Sequence, residues 1–491
     1  MSEQRFDPTS LLIGSRHEHK LNAVVIGAGP NGLAAAVVLA QAGCQVEVYE
    51  AQPEIGGGAR TLPLTLPGFL HDFGSAIHPM AIGSPFFSSL PLEKYGLAWI
   101  HPPAPVAHPL DDGTAVMLER DLNDTQSALG IDGNQWKNIF EPFVKHWPQL
   151  MEETLQPLVH FPHHPFLMAR FGILALMSAR RFANTFFKSP RTRALFAGIA
   201  AHSFLPLDAI LSASGGVMLS AAAHAVGWPM PRGGSQSIAN ALADHLRALG
   251  GMIRVNSPVT SLEEFAPHTL FLCDVSPRQM LSIAGPRFSA GFQRSLQRFK
   301  PGPGTFKVDY ALSEPIPWGA ADCRRAGTVH LGGTLEEIAE SEAAIARGQH
   351  SEWPFVLLAQ PTLFDPTRAP EGKHIAWAYC HVPNGSTFDM SARIEAQIER
   401  FAPGFRDCIL ARHISSPALL ESMDANLLGG DISGGAMTLR QIIFRPTRRH
   451  YATSDNNIYL CSSSTPPLAG VHGMCGYHAA HTALKRFSSA K

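Results

Sequence analysis

The chain has 491 residues, enough for two or three domains and a large buried core. Apolar residues make up 45% and the formal net charge is −1, which excludes a disordered chain and argues against a nucleic-acid partner. The seven cysteines are scattered with no CxxC pair, and no uninterrupted apolar run reaches membrane-spanning length, so a reduced, cytoplasmic setting is expected. Residues 1–20 mix both charge signs without an apolar centre and read as a solvated arm.

Residues 21–50 form the first unit with a recognisable physical plan. Residues 23–26 (AVVI) are apolar and β-branched, as a buried parallel strand should be. A GxGxxG turn follows, with Gly27, Gly29, Pro30, Asn31 and Gly32, and then an alanine-rich helix closed by Gly43. Residues 45–49 read as a second strand, ended by Glu50. Gly27 permits the tight turn, Gly29 lets a pyrophosphate approach the backbone, and Gly32 lets helix and strand pack closely. The helix N-terminus offers unpaired N–H groups to phosphate, and Glu50, 18 residues beyond Gly32, suits a ribose diol and repels a 2′-phosphate.

The next stretch distinguishes between dinucleotides. Gly56, Gly57 and Gly58 precede Ala59, Arg60 and Thr61, and an Asp72-Phe73-Gly74 element follows. A flexible glycine run with a fixed cation can lie against a second phosphate or a flavin edge. Here the sequence resembles the flavoproteins that include amine oxidases, protoporphyrinogen oxidases and carotenoid desaturases. The resemblance is nearest to the phytoene-dehydrogenase-like branch with the pyridine nucleotide-disulfide oxidoreductase domain proteins. Many relatives place Arg directly after the second Gly, where this chain has Gly58. The resemblance implies FAD, held by the glycine turn, Glu50, Ala51, Gly57, Gly58, Arg60 and Thr61. It also implies Val259 beside the adenine and Gly473 and Met474 at the flavin, where a closing helix over 478–487 points its N-terminus.

Further along, residues 107–120 predict a hairpin turning at Asp111-Asp112-Gly113, and 121–223 read as mostly helical. Residues 305–312, 355–360 and 375–381 read as strands, and 458–461 as a last short one. The expected architecture is α/β: a discontinuous Rossmann-like FAD-binding domain (21–104, 225–300, 453–491) with an α+β substrate domain formed by insertions (105–224, 301–452).

Lys307 is the candidate catalytic residue. Amine oxidases carry a lysine in a similar Lys…Tyr…Pro…Trp context, which implies a water held beside the flavin; a solvent-facing strand lysine is the plain alternative. Cys475, His472 and His478 flank the expected flavin end, as a buried thiol and helix-end groups or as cofactor and substrate contacts. His160, His163 and His164 form a loop patch without a ligand set, so no metal is expected. Residues 166–187 read as an apolar helical stretch: a tunnel cap, a contact with a bilayer surface, or a buried interdomain helix. Arg440 and Arg445 fall in family-like motifs. The expected activity is hydride transfer from a C–H of an apolar or amine-bearing small molecule to the flavin. Polyene isomerisation by reduced flavin and a flavin-free binding scaffold are the alternatives.

Overall fold

The structure, a computed structural model, describes residues 21–489. The arm expected at 1–20 lies outside the described residues.

Two sheets organise the chain. The first opens with β1 (Asn22–Ile26), followed by α1 (Pro30–Gln41) and β2 (Gln45–Tyr49). It has five parallel strands, in the order Ile458–Leu460, Leu270–Cys273, β1, β2, Met252–Arg254. β1 is central and buried on both sides, and its alternate residues serve two cores. Ala23 and Val25 pack towards α1, the helix Gln236–Ala248 and the last helix, Met474–Ser489. Val24 and Ile26 pack towards Met280 and Phe292 on the other face. A doubly covered sheet of this kind requires the continuous apolar run that β1 carries.

The last helix starts at Met474, four residues before the expected start at His478. The His472 Nδ1 accepts the Met474 N–H at 3.0 Å, so an imidazole caps what reads in sequence as a glycine-rich turn. This helix lies tightly on α1: a Cβ on Gly476 would stand 1.8 Å from the Asn31 carbonyl oxygen.

The second sheet has seven strands, in the order Ile409–Ser415, Gly304–Leu312, His374–Val382, Val356–Ala359, Ala326–Leu331, Ala104–Pro109, Ala115–Leu118. All pairs are antiparallel except Ala326–Leu331 with Ala104–Pro109. The last two strands form the hairpin expected from the Asp-Asp-Gly turn. Strand alternation divides this sheet sharply. Phe306, Val308, Tyr310, Ala376, Ala378, Cys380, Val356 and Leu358 build a closed apolar core on one face. Thr305, Lys307, Asp309, Trp377, Tyr379, Leu357, Thr328 and His330 alternate with them and take the opposite face.

The stretch at 166–187 is two helices, Pro165–Ala175 and Ala179–Phe186. Ser178 divides them: it is extended, and its side chain accepts the Arg181 N–H as an N-cap. A buried interdomain helix is not what forms. Phe166 is 91% and Ile173 69% exposed, with Phe161 and Leu176 beside them in sequence also exposed. Among the described residues, no helix is long and apolar enough to cross a membrane.

Candidate active site

β1 ends in a turn that only glycine can make. Gly27 has φ +98°, and a Cβ there would lie 2.8 Å from the Asp274 carbonyl oxygen. A Cβ on Gly32 would lie 2.1 Å from the Gly27 carbonyl oxygen, so the third glycine permits α1 to start directly against the strand. Gly57 crosses beneath: its Cβ would stand 3.3 Å from the Gly29 Cα, while Gly58 has open space around it. Two glycine segments thus form a groove walled by backbone.

Glu50 points at this groove. Its carboxylate accepts the Ala28 N–H at 2.7 Å and the Gln52 N–H at 2.9 Å, and the side chain is buried. The backbone of 256–257 runs beside it, with the Ser257 N–H on the Glu50 carbonyl, and Val259 packs onto the core that includes Val24 and Ile26. Ala51 is exposed.

Arg60 and Thr61 turn away from the groove into the protein. The Arg60 guanidinium donates to the carbonyls of Gly57 and Met423 and lies 4.6 Å from the Phe73 ring centre. Thr61 donates to Asp72, a buried carboxylate that also receives the Ser235 N–H and pairs with Arg368. These contacts brace the glycine segment.

A cavity of about 460 Å³ continues from the groove. Gly27, Gly29, Pro30, Asn31, Gly57 and Gly58 line one part, and Lys307 lines it from the second sheet. Leu468, Ala469, Gly470 and Val471 line it near the last helix. Gly473 and Met474 stand behind that wall: Gly473 lies against Phe87 and Ala34, and Met474 is buried. The helix had to begin earlier than expected for this, which turns both residues inward. His472 caps the helix, His478 meets the Leu155 carbonyl at 2.8 Å, and the Cys475 thiol is buried and pushed up to about 12. Of these three, none lines the cavity.

Lys307 is not solvent-facing. It is 2% exposed, contacts the Asp309 carboxylate on the same strand face, and lies 5.7 Å from the Trp377 ring centre. Burial lowers the lysine and raises Asp309 to about 6. His71 stands 3.6 Å from Asp309 and is held down to about 3, chiefly by burial, so it is neutral.

Several residues at the cavity carry no local sequence signal. Asp274, at the end of the Leu270–Cys273 strand, accepts the Gly32 N–H at 2.9 Å at the start of α1. Burial raises its carboxyl to about 8, and Asp424, raised as well, lies beside Gly57. The strand preceding Asp274 carries no motif, and only its parallel pairing with β1 brings Asp274 to the turn. His202, Phe204, Leu219, Trp228, Trp377 and Tyr379 complete the wall on the second-sheet side. Elsewhere, His160 and His163 pair with Glu153 and Glu152 instead of forming a ligand set, and no metal-holding cluster occurs among the described residues. Arg445 is fully buried and donates to the Ser433 carbonyl, whereas Arg440 is exposed.

The groove suits an anionic dinucleotide: its glycines leave room for a backbone approach, a helix starts at it, a buried acid stands at the end of β2 beside the turn, and the buried Asn31 Oδ1 and Asn426 Oδ1 lack partners within the protein. Comparison with known proteins agrees. The sequence model for flavin-containing amine oxidoreductases matches residues 31–275. Over that stretch, about half of the chain, the sequence is similar to the flavin-containing amine oxidoreductases. It is 26% identical to pyridine nucleotide-disulfide oxidoreductase domain-containing protein 2 of Rattus norvegicus, over 94% of this chain and 93% of the relative. It is also 26% identical to hydroxyneurosporene desaturase of Cereibacter sphaeroides, over 49% of this chain and 50% of that one. Among solved structures, an oxidoreductase from Methanosarcina mazei shares the fold with a TM-score of 0.63 at 18% identity, over 94% and 99% of the two chains. FAD is the cofactor of this amine oxidase and phytoene desaturase-like oxidoreductase.

Proposed function

We propose that this flavoprotein dehydrogenates an apolar small molecule, taking hydride from a C–H and leaving a double bond. The observation that carries the reading is the cavity itself, which runs from the dinucleotide groove to a wall of Phe204, Leu219, Trp228, Leu357, Trp377 and Tyr379. The lining carboxylates, Asp274 and Asp424, stand at the glycine turns, and Lys307 is the cation on the second sheet. That arrangement favours a neutral apolar substrate over a charged amine.

FAD supplies the two-electron chemistry when bound. The protein's residues do the rest. Glycine backbone and Glu50 hold the dinucleotide, and the aromatic wall orients the substrate and excludes water. Lys307, restrained by Asp309, positions a polar group or a water at the cavity. Isomerisation of a polyene by reduced flavin uses the same cavity, and a flavin-free scaffold would need none of these features.

Purified protein is expected to be yellow, to bleach on anaerobic photoreduction and to recover with one acceptor class among O2, quinones and NAD(P)+. A colourless protein that takes up no FAD would overturn the reading, and rearranged double bonds without net electron transfer would favour the isomerase. We further infer a cytoplasmic protein that touches membrane surfaces through the exposed apolar residues Phe161, Phe166, Ile173 and Leu176, with Arg170 on the same helix as Phe166 and Ile173.

A further inference from the structure

Dehydrogenation releases a proton as well as a hydride, and the residues assigned so far leave no acceptor for it on the substrate side of the cavity. Lys307 is bound to Asp309, and the lining carboxylates stand at the glycine turns. His202 is different. It lies in the short turn Ala201–Ser203, lines the cavity, and makes one polar contact: its Nε2 stands 3.0 Å from the Nε2 of His330.

His330 is fully buried, and its Nδ1 has no partner. Nor has the Nδ1 of His108, also fully buried. Both nitrogens converge on Gly198, where a Cβ would lie 3.0 Å from one and 3.2 Å from the other. The line ends where the His108 Nε2 meets the Gly333 carbonyl at 2.7 Å, beside exposed Thr334 and the Glu337 carboxylate.

A carbonyl only accepts, so the hydrogen of His108 is on Nε2 and its Nδ1 is a lone pair. With its hydrogen on Nδ1, the nitrogen on the side of that lone pair, His330 accepts the His202 Nε2–H through its own Nε2. His202 is left with Nδ1 as a lone pair on a ring that lines the cavity. Burial holds His202 down to about 3, with His381 adding to the effect, and keeps the rings neutral at ordinary pH. The titratable groups facing the line from neighbouring elements are His381, whose Nδ1 meets the Glu342 carboxylate at 2.8 Å, and Glu337.

We propose that His202 accepts the proton that the substrate gives up as its hydride departs, and that His330 and His108 pass the charge towards Gly333. This rests on the dehydrogenase reading above. In the step, a substrate C–H breaks and its electron pair leaves as hydride to the oxidised flavin. The neighbouring X–H bond breaks, its electron pair becomes the new double bond, and its proton goes to the His202 Nδ1. The His202 Nε2–H then moves to the His330 Nε2. The His330 Nδ1–H follows towards the His108 Nδ1 through one water between them, since the two nitrogens do not touch. His202 is the proton acceptor, and His330 and His108 are positioning residues.

The test needs no substrate. Holoprotein labelled with [15N]histidine is observed by NMR before and after anaerobic photoreduction, with flavin absorbance read on the same sample. His202 and His108 are expected to carry hydrogen on Nε2 and His330 on Nδ1, in oxidised and in bleached protein alike, because no substrate is there to give the pair a proton. His202→Gln is expected to keep the flavin absorbance and remove only the His202 resonances, and His330→Asn to keep the absorbance but scramble the His202 tautomer. Hydrogen on the His202 Nδ1, or on the His330 Nε2, would overturn the proposal. Absent flavin would overturn the dehydrogenase reading instead, and the tautomer pattern would still report on the histidines.

Discussion

The two ends of the cavity are made of different material. The dinucleotide end is backbone: Gly27, Gly29 and Gly32 in one turn and Gly57 and Gly58 in another, with Glu50 pinned to the Ala28 N–H. The second-sheet end is side chains, drawn from alternate positions of neighbouring strands and from a helical insertion: Lys307, Leu357, Trp377 and Tyr379 opposite His202 and Trp228. Where backbone does the binding, any side chain is an obstruction. Where side chains do it, single residues can be exchanged to change chemistry while the sheet stays intact. The same scaffold thus joins a groove fixed by backbone to a wall whose side chains can change.

That contrast can be broken first at the backbone end. Gly32→Val places a methine carbon where 2.1 Å separates it from the Gly27 carbonyl oxygen, and FAD affinity is expected to fall by about 100-fold or more. Flavin content of purified protein and FAD titration of the apoprotein check this; retained stoichiometric flavin would contradict the groove. At the side-chain end, Lys307→Met should keep the flavin but slow its reoxidation by O2 by about tenfold. It also strands buried Asp309, costing up to about 3–5 kcal/mol by the usual penalty for a half-removed ion pair. Because Asp309 is already raised to about 6, it can take up a proton, so the loss should fall near the low end. Lys307→Met with Asp309→Asn should recover most of the stability, read by thermal melting, without restoring the oxygen rate.

Asp274 sharpens the comparison, as an acid set among phosphate-binding backbone. With its carboxyl raised to about 8, it is neutral at lower pH and tolerates a pyrophosphate beside Gly32. Above pH 8 it ionises and repels the phosphates, so FAD affinity should fall by up to about tenfold per pH unit. The folding linkage has the same sign. A raised acid favours the folded state at low pH, and this contribution is lost as pH rises from the free-aspartate value of 3.8 to the folded value of about 8. Asp274→Asn should flatten the FAD titration, and a wild-type affinity constant from pH 7 to 9.5 would remove the assignment. The smallest effect belongs to the outer surface. Phe166→Ser with Ile173→Ser should weaken sedimentation with anionic phosphatidylglycerol vesicles by about three- to tenfold while leaving the flavin spectrum alone.

How much of this was legible in residues 1–491 differs between the same two ends. The strand, turn, helix and acid of 21–50 are contiguous, and each residue type answers to a local constraint, so sequence alone established the nucleotide fold and the place of Glu50. It also predicted the hairpin near 111–113 and the strand alternation that separates Lys307 from Phe306 and Val308. Local spacing was silent on what lies across a sheet. Asp274 reaches Gly32 from 242 positions away, and His202 meets His330 across 128. Lys307 and Asp309 were adjacent in pattern, but their joint burial depends on the strands beside them. The helix start at Met474 needed His472 to fold back, which moved Gly473 and Met474 behind the cavity wall. Backbone demands are written in neighbouring residues, whereas a side-chain wall exists only once strand register and domain packing have brought distant positions together.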